Sequence, residues 1–177
     1  MKKAICLILA LLFAAGANLH LCARVSAGDE TAGVFSLAAA GRGLLAAEAA
    51  ASELTEARPP GLRLRLALSP APPSEDAGRV SDLLLRHTDG VVLREGCSAG
   101  GWYLGCTAEG EELREGLRRY IFGTRPPGAL SGHFDGELSF APVYTRPGRE
   151  STPEDLCLLV TGMLPVVYTD PSGAALG

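Results

Sequence analysis

Hydrophobic and polar positions follow two periods along this chain, and the switches between them mark its elements. Leu62-Arg63-Leu64-Arg65-Leu66 alternates strictly, the period of a strand with an apolar face and a polar one. Before it, residues 44–57 are rich in Ala, Leu and Glu and read as a helix, stopped by Pro59-Pro60-Gly61. After it, Ser74 precedes Ala77, Val80, Leu83 and Leu84 at helical spacing, with Glu75/Arg79 and Asp82/Arg86 as acid-first pairs four apart.

Asp89-Gly90 is a turn, residues 91–93 and 102–106 read as strands, and glycine-rich 96–101 reads as the loop between them. A hairpin is therefore expected near residues 91–106. Thr107 opens a third helix, with Leu113, Leu117, Tyr120 and Ile121 as its apolar stripe. From Gly132 onward the pattern turns to strand, and Pro142 suggests an edge or a bulge. Thr152-Pro153-Glu154-Asp155 is a strong start for a short last helix, and residues 164–168 form a last strand. No internal repeat is visible. The expected fold is α+β: a single mixed β-sheet packed with about three or four helices, including the hairpin.

The N-terminus changes the picture of compartment. Lys2 and Lys3 precede an apolar run over 4–17, the pattern of a secretory signal and shorter than the roughly 20 residues of a membrane span. Val25-Ser26-Ala27 and Ala15-Gly16-Ala17 are both small-residue cleavage sites. The first is preferred because Leu19 and Leu21 extend the apolar character. The expected organisation is a signal peptide over 1–27, or over 1–17, and one globular domain over 28–177. Leu21 directly before Cys22 fits a lipidation signal poorly. Membrane attachment is expected only if the signal is uncleaved or Cys22 is lipidated.

The chain has a formal charge of −4, and residues 1–27 hold Lys2, Lys3 and Arg24 but no acid, so the remainder is more acidic still. That disfavours nucleic acid as a partner. Cys97, Cys106 and Cys157 lie beyond the leader, which holds Cys6 and Cys22. An oxidising compartment favours a Cys97–Cys106 disulfide. The expected hairpin opposes it, because Cys97 would lie in the loop, about 16 Å along the ribbon from Cys106. Cys157 sits in an apolar run and reads as a core thiol.

Gly96-Cys97-Ser98-Ala99-Gly100 matches the G-x-S-x-G nucleophile elbow in form, with His133 and Asp135 downstream. A second strand, rather than the required helix, follows it, so a glycine-rich hairpin is the better reading. Ser98, Cys97 and His133 remain weak catalytic candidates, with Cys106 a further thiol. Arg63 and Arg65 form a basic row that suits a small anion or an acidic neighbour. Trp102 and Tyr103 stand beside two glycines, a binding surface or, for Trp102, a core anchor. No cofactor motif and no metal-ligand spacing joins His87 and His133.

The expected function is a non-enzymatic binding or assembly domain of the bacterial cell envelope, exported, with another envelope protein or a small anionic ligand as partner. The alternatives are a small hydrolase using Ser98, Cys97 or Cys106, and an anion binder combining Arg63, Arg65 and Trp102.

Overall fold

Two antiparallel hairpins, one near the start of the chain and one midway, organise everything that follows them. The computed structural model describes residues 19–57, 59–61 and 63–176, and the apolar run over 4–17 lies outside them. The chain divides into two compact units, the boundary falling between Val91 and Val92.

In the first unit, β1 (His20–Ala27) and β2 (Glu30–Phe35) form a hairpin, followed by helix α1 (Leu37–Leu54), strand β3 (Arg63–Ser69) and helix α2 (Ala77–Arg86). The strand order is β2-β1-β3, so β1 is the centre of the sheet. Ser36 caps α1 by accepting from the Ala39 amide, and Asp76 caps α2 by accepting from Gly78 and Arg79.

In the second unit, β4 (Val92–Ala99) and β5 (Trp102–Thr107) form a hairpin, followed by α3 (Gly110–Gly123), β6 (Ser131–Phe134), β7 (Leu138–Thr145), α4 (Pro153–Met163), β8 (Val166–Thr169) and β9 (Ala175–Leu176). One sheet has the order β5-β4-β7 and a small one the order β6-β8-β9. Thr152 caps α4 by accepting from the Asp155 amide, with Pro153 in the first turn as the sequence suggests.

The α+β class and four helices are present among the described residues, but the single mixed sheet is not. There are three separate three-stranded sheets, and every pairing within them is antiparallel. The physical reason is that residues 20–27 form the central strand of a sheet in the first half. Without β1, the Arg63–Ser69 strand has no partner in its own half and must be sent to the later hairpin. With β1 present, each half closes its own sheet.

The two halves share the order hairpin, helix, strand, helix, with β6 inserted before β7 in the second, and the later strand, β3 or β7, pairs with the first strand of its hairpin. The match extends to single residues. Val25 faces Gly33 and Ser26 faces Thr31, with a register irregularity between Val25 and Ser26. Cys97 faces Gly105 and Ser98 faces Tyr103, with the same irregularity between Cys97 and Ser98. Gly33 and Gly105 both have positive φ, at 135° and 147°, where the bulge needs a residue without Cβ. Both turns read Ser-Ala-Gly, and Gly28 and Gly100 adopt φ of 55° and 57°. Val25 opposes Leu64 on β3, and Cys97 opposes Phe140 on β7. A repeat invisible in the sequence is therefore present in the backbone.

The helices pack on one face of each main sheet. In the second unit Cys97, Ala99, Leu113, Leu117, Leu156, Val160 and Leu164 form the core, with Leu104, Phe134, Leu138 and Phe140 packed against it. In the first unit Ala23, Val25, Phe35, Ala39, Ala47, Val80 and Leu84 are buried. Gly43 on α1 lets α2 approach closely: a Cβ there would stand 2.5 Å from Val80 Cβ and 2.6 Å from the Ala77 carbonyl oxygen.

Candidate functional site

A sheet of three strands has two edges, and an uncovered edge is a template for another chain. The two main sheets have four edges, and three are blunted. The outer side of β2 is engaged where the Ser36 amide donates to the Ser74 carbonyl at 3.0 Å and the Ser74 amide donates to the Val34 carbonyl at 3.0 Å. The outer side of β5 accepts at the Cys106 carbonyl from the Ser151 amide at 2.8 Å. Strand β7 carries Pro142 opposite Glu95, and proline on an edge removes a donor that an added strand would need. Strand β3 has neither device. Its backbone pairs with β1 alone among the described residues.

Both faces of β3 are chemically distinctive. Register places Leu64, Leu66 and Leu68 opposite Val25, Ala23 and Leu21, on the side that the helices cover over β1. Val25 and Ala23 are fully buried there. The leucines are not: Leu64, Leu66 and Leu68 are 51%, 66% and 50% exposed, and neighbouring Leu21 is 54% exposed. The strict alternation over 62–66 thus predicts the strand correctly but leaves open whether its leucine side is buried. The helices lie mainly against β1 and β2, so the edge strand projects beyond their cover.

The opposite face carries arginines towards the start of β3, with fully buried Cys22 opposite Ala67 further along the same face. Arg65 faces Arg24 across the ladder, and Arg63 faces Ser26. All three arginines are exposed. Among the described residues none of them pairs with an acid, whereas Arg42, Arg86, Arg94, Arg114 and Arg118 all do. Like charges directly opposite in a sheet are unfavourable by a few tenths to about 1 kcal/mol. Arg24, which lies within the expected 1–27 leader, is the member of this cluster that the sequence does not single out.

The catalytic candidates are not assembled into a site. Gly96-Cys97-Ser98-Ala99 lies inside β4, and the chain leaves it through the Gly100-Gly101 turn into β5. The element that follows Ser98 is strand β5 rather than the helix an elbow needs, and the ladder neighbours of Ser98 are Tyr103 and Ser139. His133 is exposed on β6 opposite Val167, in a different sheet. The Cys97 thiol is fully buried and its pKa is raised, first by burial and then by Glu95, the reverse of an activated nucleophile.

The hairpin over 91–106 has a different register from the expected one. Its turn is two glycines, and residues 96–99 belong to the strand. Cys97 opposes Gly105 and Gly96 opposes Cys106, so the two cysteines are close along the ribbon instead of separated by the loop. They point to opposite faces, because successive residues of a strand alternate. Cys97 enters the core, while a Cβ on Gly96, on the Cys106 face, would meet Val143 and Tyr103. Cys22, Cys97, Cys106 and Cys157 are all free thiols.

Trp102 is no core anchor: it is 71% exposed and Tyr103 is 59% exposed. Both belong to the second unit, and Arg63 and Arg65 to the first. A shallow groove of about 450 Å³ runs between α3 and α4 within the second unit, lined by Gly116, Tyr120, Cys157, Leu158 and Thr161 among others. Burial, and then Glu154, raise the Cys157 pKa.

Among the described residues no three His, Cys, Asp or Glu side chains are placed to hold a metal ion, and no helix is long and apolar enough to cross a membrane. No protein-family model matches this chain, and no curated protein or solved structure is significantly similar to it.

Proposed function

We propose that this chain is an exported, non-enzymatic binding or assembly protein of the cell envelope, and that it docks its partner along β3. The observation that carries the reading is the edge of β3, which no described strand pairs, flanked by a half-exposed leucine row on one face and arginines on the other. Adding a strand to such an edge supplies backbone hydrogen bonds for affinity and alternating side chains for specificity.

Export rests on the N-terminal pattern, and the fold favours one cleavage site. Cutting after Ala27 would remove β1, the central strand of its sheet, with buried Cys22, Ala23 and Val25. Cutting after Ala17 leaves every described residue in place. Lipidation at Cys22 fits poorly for the same reason: its side chain is fully buried and donates to the Ala67 carbonyl at 3.2 Å.

The test places a photo-crosslinking residue at Leu66 or, as control, at exposed Leu45 on α1. Cells producing the protein are fractionated and intact mass is measured. The expected result is extracytoplasmic protein beginning at Asn18, with a macromolecular adduct from position 66 and none from position 45. Unprocessed cytoplasmic protein would overturn the export reading. Equal adducts, or none, from the two positions would overturn docking at β3.

A further inference from the structure

Resting on that docking reading, we infer that the natural occupant of the β3 edge is an extended protein segment in which apolar residues alternate with Asp or Glu. The argument is one of register. A strand added antiparallel to β3 places its residues directly opposite those of β3, on the same faces. Its residues opposite Leu64, Leu66 and Leu68 meet an apolar strip that continues into Leu21. Its residues opposite Arg63 and Arg65 meet guanidinium groups that no acid of the described chain neutralises.

The arginine pair sharpens the choice. Arg24 and Arg65 are held opposite each other by the β1–β3 ladder, so the isolated sheet carries a like-charge contact. A carboxylate on the incoming strand beside Arg65 relieves it, and one beside Arg63 extends the same row. The chain as a whole is acidic, at −4, so this local basic face stands against the overall charge. A second copy of β3 is the competing occupant. Centred on Leu66, self-pairing would put Leu64 against Leu68 and Leu66 against itself, which satisfies the apolar face. It would also bring a second set of arginines to the basic face with no acid to meet them. Charge complementarity therefore selects a foreign acidic strand.

The experiment uses the protein as purified from the producing cell and three capped peptides the length of β3. One alternates Leu and Glu, the second alternates Leu and Lys, and the third is the Leu/Glu peptide N-methylated at alternate amides. Binding is read by fluorescence anisotropy and mapped by amide chemical shifts. The Leu/Glu peptide is expected to bind at least about tenfold tighter than the other two. Its affinity should weaken as salt rises. The shifts should centre on residues 63–69, and the double variant Arg63→Gln, Arg65→Gln should lose the preference for Glu over Lys while keeping its fold. Equal binding of the Glu and Lys peptides would overturn the acidic partner, as would shifts centred elsewhere. Self-association in sedimentation, abolished by Leu66→Glu, would make the occupant a second copy and also overturn it. Because the in-cell adduct at position 66 is read independently, an adduct with no Glu preference removes only this inference. Failure of both removes the docking surface itself.

Discussion

Gly43 and Gly116 each face the second helix of their own unit, yet a methyl group added to them meets different surroundings. At Gly43 it would strike Val80 and the Ala77 carbonyl, neither of which can swing aside. At Gly116 its nearest neighbour is Cys157 Sγ at 3.8 Å, ordinary contact. Gly43→Ala should therefore cost about 1–3 kcal/mol through overpacking. Gly116→Ala should be neutral or stabilise by up to about 1 kcal/mol, through helix propensity. Urea denaturation of both variants checks the opposite signs. The cysteines make a second prediction: without reductant, native protein should alkylate at Cys157 first, with Cys22, Cys97 and Cys106 reacting only on unfolding. A Cys97–Cys106 bridge would show as two thiols that never react without reductant. Glu150 offers a third. Its own backbone amide, the Arg94 guanidinium at 2.8 Å and the Gly148 amide hold its carboxyl below the usual range. Its stabilising contribution is present above the ordinary carboxylate pKa and is lost as pH falls through the lowered one. Arg94→Gln should move the Glu150 titration upward in an NMR pH series. At this scale the sequence was readable where a role is local, as with the Thr152 cap and Pro153. It was unreadable where a role depends on a distant neighbour, as with Gly43 against Val80.

Among elements, β3 shows how far alternation reaches. Period two identifies the strand and puts leucine and arginine on opposite faces. It does not say where in the sheet the strand lies, and that decides whether the leucine face is buried. Because Leu64 and Leu66 are at least half exposed, replacing both with Thr should change unfolding free energy by no more than about 0.5 kcal/mol per site. The same change should lower the protein's tendency to aggregate, seen as slower growth of light scattering on mild heating. A large loss of stability would mean that the row is covered in the native protein. The hairpin of β4 and β5 was legible as a hairpin but not in register. Six residues with three glycines read as a loop, whereas the strand runs through Gly96 and turns only at Gly100-Gly101. Gly96 is there because Val143 and Tyr103 leave no room for a side chain.

For the molecule as a whole, the duplication was hidden because what recurs is backbone geometry. Only Ser-Ala-Gly and the bulge glycine survive in both hairpins, while Val25 corresponds to Cys97 and Leu64 to Phe140. Those shared letters carry two unrelated expectations in the sequence, a nucleophile elbow at Ser98-Ala99 and a cleavage site at Ser26-Ala27, and in the fold each is the approach to a glycine turn, at Gly100 and Gly28. Since each unit closes its own sheet and has its own buried residues, residues 92–177 should fold alone. That fragment should show a cooperative thermal transition and dispersed amide resonances, and a random-coil spectrum would refute its independence.

The place of β1 at the head of the chain has a consequence in time. With processing after Ala17, only Asn18 and Leu19 separate the new terminus from the strand that both β2 and β3 must join. If the chain is exported as proposed, a precursor still held at the membrane by its leader would keep that strand beside the translocation site. The second unit needs nothing from this segment for its own sheets and can fold while the first waits. On that proposal peptidase action would be the event that releases the first sheet to close, and the β3 edge would become available only after cleavage.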